Sequence, residues 1–365
     1  MTQRSMFSVL IALFLAGCGV QNAQVSDVDH DGEQLSDLDS DVLAVTSGAK
    51  RIIFDHTDSG RVFDGKGKEF NNGKRTMIVF QSVQENGKWL YPTDIVFKNW
   101  KINGALRVLG VGPSSDTTLV KESSRKLGHT QRMRDAAPRN ITLQNLVIST
   151  DEKIPLVFGP GVHAVTFENS AVVGKSRSVA MYLDAESGDN IIRNNIFNIE
   201  ASREVIAVDG SARNIISGNI FNSMSKGAVH VYRNSGERGV VRHQEPRHNK
   251  IRGNYFNVVD MKSGRAVFLG SRNGTNPNYR HDDRQFDFGS GASNRDFARE
   301  NVVSGNKAGG SDVDFKKFFL KDTEGENQVK GNSAVTQLEG VAKILRKFEN
   351  TLEMPALKEL IEALR

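Results

Sequence analysis

Hydrophobic residues recur along this chain in short alternating bursts, each closed by a polar corner, and the bursts repeat. Asp94-Ile-Val-Phe-Lys-Asn99, Asn140-Ile-Thr-Leu-Gln-Asn145, Ala164-Val-Thr-Phe-Glu-Asn169 and Asn190-Ile-Ile-Arg-Asn-Asn195 share one form. So do Asn214-Ile-Ile-Ser-Gly-Asn219, Asn249-Lys-Ile-Arg-Gly-Asn254, Asn301-Val-Val-Ser-Gly-Asn306 and Asn327-Gln-Val-Lys-Gly-Asn332. Their starts are separated by 46, 24, 26, 24, 35, 52 and 26 residues. A unit of about 24 accounts for this if the two longest gaps hold two units each and the middle one holds an insertion. Alternating Ile, Val, Leu or Phe gives each unit a strand with one face turned inward. Asn tolerates left-handed backbone at the corners, and stacked Asn side chains can bond along the ladder. Phe197, Phe221 and Phe256 fall at one phase, as an internal aromatic stack requires. The pattern predicts an all-β fold, a single-stranded right-handed parallel β-helix over residues 49–334, with 49–101 as irregular first coils. A leucine-rich horseshoe would need a leucine pattern that is missing here, and a β-propeller a period of about forty residues.

Both ends depart from the repeat. After Asn332 the spacing becomes helical (Val335, Leu338, Val341, Ile344, Leu345, then Leu357, Leu360, Ile361), with Met354-Pro355 as a break. Residues 335–365 are therefore expected to form amphipathic helices that cap the open end of the solenoid. At the other end, Arg4 precedes an apolar run from Met6 to Ala16 that is too short to span a bilayer comfortably. It ends in Leu15-Ala16-Gly17-Cys18, which resembles the lipobox of bacterial lipoproteins. The resemblance implies a signal peptide over 1–17, lipidation of Cys18, and a membrane partner reached through that lipid. Gly19 follows Cys18 where aspartate would mark inner-membrane retention, so the expected location is the cell envelope, anchored to the outer membrane.

Residues 18–48 read as a tether. Seven acidic residues lie between Ser26 and Asp41, with no Lys or Arg among them. Asp27-Val-Asp-His-Asp-Gly32 looks like half a calcium loop, but Leu38 stands where the loop needs a bidentate Glu, so a solvated acidic linker is the reading. The whole chain carries +5, and without those seven negatives the remainder carries +12. A body this basic points to an anionic partner, and an envelope location makes that partner a polysaccharide. No basic motif interleaved with aromatics suggests nucleic acid. Cys18 is the only cysteine, so no internal disulfide can form. A monomer is expected.

Candidate chemistry comes from aligning the strands ahead of each corner. Val179-Ala-Met-Tyr-Leu-Asp184, Glu204-Val-Ile-Ala-Val-Asp209, Ala228-Val-His-Val-Tyr-Arg233 and Ala266-Val-Phe-Leu-Gly270 place Leu183, Val208, Val231 and Leu269 inward. Asp184, Asp209 and Tyr232 then share an outer face with Tyr182 and His230, on coils about 4.8 Å apart. Asp184 beside Asp209 is a like-charge stack that needs a cation, a shared proton or an Arg screen. Two insertions, Ser235–His248 and Asn273–Glu300, are placed to wall a groove over this face. Candidate catalytic groups are Asp184, Asp209, His230, Tyr232, Arg233 and His243. Tyr182, Asn234, Arg242, Arg247, Arg272 and Asn273 are candidates for substrate contact.

The stretch Glu204-Val-Ile-Ala-Val-Asp209, Asn214-Ile-Ile-Ser-Gly-Asn-Ile-Phe-Asn222 and Gly227-Ala-Val-His-Val-Tyr-Arg233 resembles the central coils of the β-helix polysaccharide lyases that include chondroitinase B and some alginate lyases. In architecture the resemblance covers roughly residues 90–310; in motif it covers about thirty residues. It implies a calcium-binding Glu at Glu204, a lysine base where Asp209 stands, and an arginine near Tyr232 or Arg233. Aspartate in the lysine's place leaves His230 or His243 as base. With Arg233, Arg272 or a calcium on Asp184, Glu186 and Glu204 neutralising a uronate carboxylate, and Tyr232 as acid, the parts of a lyase or C5 epimerase are present. Two readings compete: a glycoside hydrolase using Asp184, Glu186 and Asp209, and a polysaccharide binder or assembly factor without catalysis.

Overall fold

The computed structural model describes residues 49–111, 117–234, 239–259, 261, 263–270, 286, 288–289, 297–323 and 325–335. The expected signal peptide, Cys18, the expected acidic linker and the expected helices after residue 335 lie outside these residues. The described chain winds as a right-handed parallel β-helix with three walls. In the short wall B strands one inward residue is flanked by two outward ones. In wall A an outward residue such as Val157 or Tyr182 stands between two inward ones, and the inward sets stack from coil to coil. Wall A carries Leu156–Phe158, Met181–Leu183, Ile206–Asp209, Gly227–Tyr232 and Arg265–Leu269, paired in parallel. Wall B is a nine-stranded sheet running from Val62–Asp64 to Gln328–Lys330. Wall C runs through Val147–Glu152, Ala171–Ser176, Ile196–Ala201, Ile220–Phe221, Tyr255–Asn257 and Lys307–Gly309 to Ser333–Val335. The long strand Lys101–Leu109 bends so that its start pairs with wall C and its end with wall A. Val335, expected to open the helical cap, is instead the last residue of a wall C strand.

Two ladders of Asn hold the corners. Asn190, Asn214, Asn249, Asn301 and Asn327 form one, and Asn195, Asn219, Asn254, Asn306 and Asn332 the other. In each, the backbone N–H and the side-chain Nδ2 of one Asn donate to Oδ1 of the next, as from Asn219 to Asn254 at 2.9 and 3.0 Å. Buried backbone groups at the turns thus find partners that a strand ladder cannot supply there. The expected aromatic stack runs inside wall C: Phe197, Phe221 and Phe256 lie face to face with centroids 5.1 and 5.0 Å apart. A wider aromatic cluster (Phe54, Phe63, Phe80, Phe97) fills the first coils.

The register corrects the coil count. Val96–Lys98 pairs directly with Thr142–Gln144, and Lys250–Arg252 pairs directly with Val302–Ser304. The gaps of 46 and 52 residues are therefore single coils with long excursions, not two coils each. The first excursion contains two short helices, α1 (Thr118–Ser124) and α2 (His129–Asp135). Val120, Met133, Ala136 and Val111 form a small apolar cluster of their own, with Trp89 and Val240 packed against it. That cluster seats the helices over wall A.

Candidate functional site

The expected wall A alignment is the observed one. Tyr182, Ala207, His230 and Phe268 occupy one outward row, while Leu183, Val208, Val231 and Leu269 point inward. Asp209 pairs with Tyr232, and Asp184 follows Leu183 on the adjacent coil. This outward face is covered, however. Asp209 and Tyr232 are wholly buried, and Tyr182, Arg233, Asn234, Glu186 and Glu204 nearly so. The α1–α2 excursion and the loop Gly239–His248 supply much of the cover. Ser124 Oγ accepts from the Val241 backbone at 3.0 Å, and Ser124 O accepts from His243 Nε2 at 2.7 Å.

Each acid beneath the cover has donors within the chain. Asp209 accepts from Tyr182 Oη at 2.6 Å, Asn234 N at 2.8 Å and Asn234 Nδ2 at 2.5 Å. Arg242 Nη1 lies 2.8 Å from Asp184 Oδ1 and 3.7 Å from Asp209 Oδ2, so a guanidinium screens the two stacked carboxylates. Burial pushes the Asp184 carboxyl above its ordinary value; Arg242 opposes the rise and the Asp209 charge adds to it. Glu186, at a left-handed corner, accepts from the backbone N–H groups of His243 (2.8 Å) and Gln244 (3.0 Å) and from Thr130 Oγ1. Arg233 donates to His243 O at 3.0 Å. Arg247 pairs with Glu245 and, at 3.5 Å, with Glu300.

A second knot lies one step along the wall. Tyr232 Oη donates to Glu204 Oε1 at 2.7 Å, and Arg203 Nη2 donates to that oxygen at 2.8 Å and to Tyr232 Oη at 2.9 Å. His230 Nδ1 stands 3.8 Å from Glu204 Oε2, while its Nε2 lies 3.0 Å from Arg265 O. A carbonyl only accepts, so Nε2 must carry a proton. Burial pushes Glu204 upward, but His230 and Arg203 outweigh it and hold the carboxyl below its usual range.

The structure thus brings Asp184, Asp209, Tyr182, Asn234 and Arg242 together, with Glu204, His230 and Tyr232 beside them. It joins His243 and Arg233 to the roof. Arg272 and Asn273 fall outside the described residues. The calcium set does not assemble: among the described residues no three His, Cys, Asp or Glu side chains converge as metal ligands. Asp184, Glu186 and Glu204 are held by separate protein donors instead.

Sequence reasoning passed over two features. One is the α1–α2 roof. The other is a cleft of about 300 Å³ on wall C, lined by Asn198, Asn222, Ser223, Met224, Ser225, Asn257 and Met261. Its signal was the Asn that closes each Ile-Phe-Asn or Tyr-Phe-Asn segment.

No protein-family model and no curated protein sequence matches the chain. Among solved structures, it is similar to an alginate lyase from Paenibacillus sp. at 11% identity, covering 79% of this chain and 95% of that one, TM-score 0.34. It is similar to the A-module of a mannuronan C-5 epimerase from Azotobacter vinelandii at 12% identity, 81% and 93% coverage, TM-score 0.33. A Geobacillus virus E2 protein aligns at 10% identity and TM-score 0.35 over 79% of this chain, which spans 51% of the viral protein's length.

Proposed function

We propose that this chain is a lipid-anchored cell-envelope protein whose β-helix binds an anionic polysaccharide without cleaving it. The observation that carries this reading is the engagement of the wall A cluster. Elimination or epimerisation at a uronate needs a base whose unprotonated nitrogen opens onto the substrate. His230 Nε2 donates to a backbone carbonyl and its Nδ1 faces Glu204. His243 is tied to the roof through Nε2 on Ser124 O, with its ring packed against His129 and Phe288, and the Tyr232 hydroxyl is given to Glu204. Hydrolysis needs two carboxylates flanking a substrate bond, whereas Asp184 and Asp209 flank Arg242. Binding a polyanion asks for less: a long regular surface and an excess of positive charge, which a body of +11 outside the leader and the acidic tether supplies. Lipidation of Cys18 would hold the monomeric body at the outer membrane; a Cys18→Ser chain appearing in the soluble fraction would support that anchor.

Lyase or epimerase action is the second reading, favoured by the close approach of Arg203, Tyr232, Glu204 and His230. The test separates the two. The full chain in detergent is offered anionic and neutral polysaccharides, while affinity, unsaturated-uronate absorbance, reducing ends and C5 configuration are followed together. Affinity for anionic polymers with no product is expected. An unsaturated or epimerised product would overturn the binding-only reading.

A further inference from the structure

Wall B carries a row of outward side chains that the cluster on wall A does not involve. In the fourth place of successive repeat segments stand Arg193, Ser217, Arg252, Ser304 and Lys330, in direct parallel register. Cation and hydroxyl alternate along the row. Neighbouring rungs are about 4.8 Å apart, so the cations recur every 9 to 10 Å or so, and the row spans roughly 19 Å. Arg193, Arg252 and Lys330 are exposed, and the two serines half-buried. Arg193 is engaged by Glu168 at 2.5 Å. Among the described residues neither Arg252 nor Lys330 has a carboxylate partner, and Lys250 adds a further exposed cation on the same strand face as Arg252.

The corner beside the row changes with it. Its left-handed position is filled by Asn99, Asn145, Asn169 and Asn194 in the first coils, with φ between 51° and 61°. From Gly218 onward it is glycine: Gly253, Gly305 and Gly331 follow, with φ between 61° and 64°. Asn satisfies that backbone, so conformation alone does not require the switch. Removing the side chain does something else: a Cβ built on Gly253 or Gly305 would meet no atom within 4 Å, leaving an open shelf along the cations.

We infer that this shelf and the cations along it form the binding track for a linear polyuronate, four sugars or longer, lying along the solenoid axis across the coils. The inference rests on the polysaccharide-binding reading above and deepens it by moving contact from wall A to wall B. A two-fold polyuronate chain turns every second carboxylate to one side, at the length of a disaccharide. Cations on alternate rungs meet that repeat, and the serines between them face the sugars whose carboxylates turn away. A bilayer spreads its charge in two dimensions and does not match a file one side chain wide. Nucleic acid would be met with aromatic stacking platforms, and the row holds none.

The experiment compares the full chain in detergent with Arg252→Glu/Lys330→Glu and with a control of equal charge change, Lys88→Glu/Lys126→Glu. Probes are sodium polygalacturonate, its carboxyl-reduced neutral form, and phosphatidylglycerol vesicles, at low and physiological salt. Expected are binding of the anionic polymer only, an affinity loss of about tenfold or more in the track variant at low salt, and a change within about twofold in the control. Unchanged melting curves show that the exposed substitutions leave the fold intact. Retained affinity in the track variant, or equal loss in both variants, would overturn the track while leaving polysaccharide binding standing. Track-dependent binding of vesicles without polymer binding would assign the row to a membrane surface and overturn the inference. A wild-type chain that binds no anionic polymer would instead bring down the proposed function itself.

Discussion

Replacing Asp209 by alanine should act on stability first. The carboxylate is wholly buried and accepts three hydrogen bonds, from Tyr182 Oη, Asn234 N and Asn234 Nδ2. Truncation strands three buried donors, each at about 1–3 kcal/mol. It also removes one of the two acids that compensate Arg242, although Asp184 remains 2.8 Å from that guanidinium. The carboxylate's own desolvation cost is recovered, which offsets part of the loss. The net expectation is about 3–5 kcal/mol, or a fall in melting temperature of roughly 6–15 °C for a body of this size. Asp209→Asn keeps the shape and one acceptor and should lose about half as much. Circular dichroism during thermal and urea unfolding at pH 7 reads both variants. Were Asp209→Ala to melt within about 2 °C of wild type, the buried network would not be holding the roof, and a functional role for Asp209 would regain its place.

Three further outcomes follow from the same geometry. Asn254 donates Nδ2 to Ile216 O and Asn306 Oδ1 and accepts twice from Asn219, so Asn254→Ala should cost about 3–4 kcal/mol in a denaturant melt, against under 1 for an exposed Asn. His129 is buried against His243, and burial followed by the His243, Arg132 and Arg242 charges lowers it to about 3. A lowered histidine binds its proton more readily when unfolded. Stability should therefore fall by about 1.4 kcal/mol per pH unit from pH 6.5 down towards 3, and His129→Gln should flatten that slope in pH-dependent melts. Gly253 has a φ of 61° with open space around it. Gly253→Asn should shift the melt by under about 1 kcal/mol, and Gly253→Val by about 2, because a β-branched residue resists left-handed backbone.

The wall A register was legible from sequence because strand alternation allowed one alignment there, and the Phe phase marked wall C. A slip of one residue would have turned Leu183, Val208 and Val231 to solvent. On wall B the segments beginning at 94, 140 and 164 sit one residue off those from Asn190 on, as the pairing of Thr166 with Ile191 shows. The roof was not legible. Residues 117–136 fill a gap whose length happens to approximate two repeats, so counting treated the excursion as coils. Once the outer face was taken to be open, Asp184, Asp209 and His230 looked like groups presented to a substrate. The adjacency of Asp184 and Asp209 did signal that a cation was needed, and Arg242 fills that need from a distant loop. What sequence cannot reveal is which side chains another segment will cover, since coverage depends on where a loop folds back. The row on wall B is written in the sequence as the fourth residue of the last five repeat segments, from Arg193 to Lys330. Its signal is periodic charge, one cation on every second segment, and not the mixture of titratable groups that marks wall A.

The two Asn ladders make the solenoid modular. Every rung offers an identical pair of donors to the coil after it and a single acceptor to the coil before it, so each junction speaks the same chemical grammar. A coil spliced in or excised beyond Asn249, downstream of the roof, would find its ends already matched. Length is then the property this scaffold can most readily vary over evolution, and any track along its outside would lengthen or shorten in step, one strand spacing at a time.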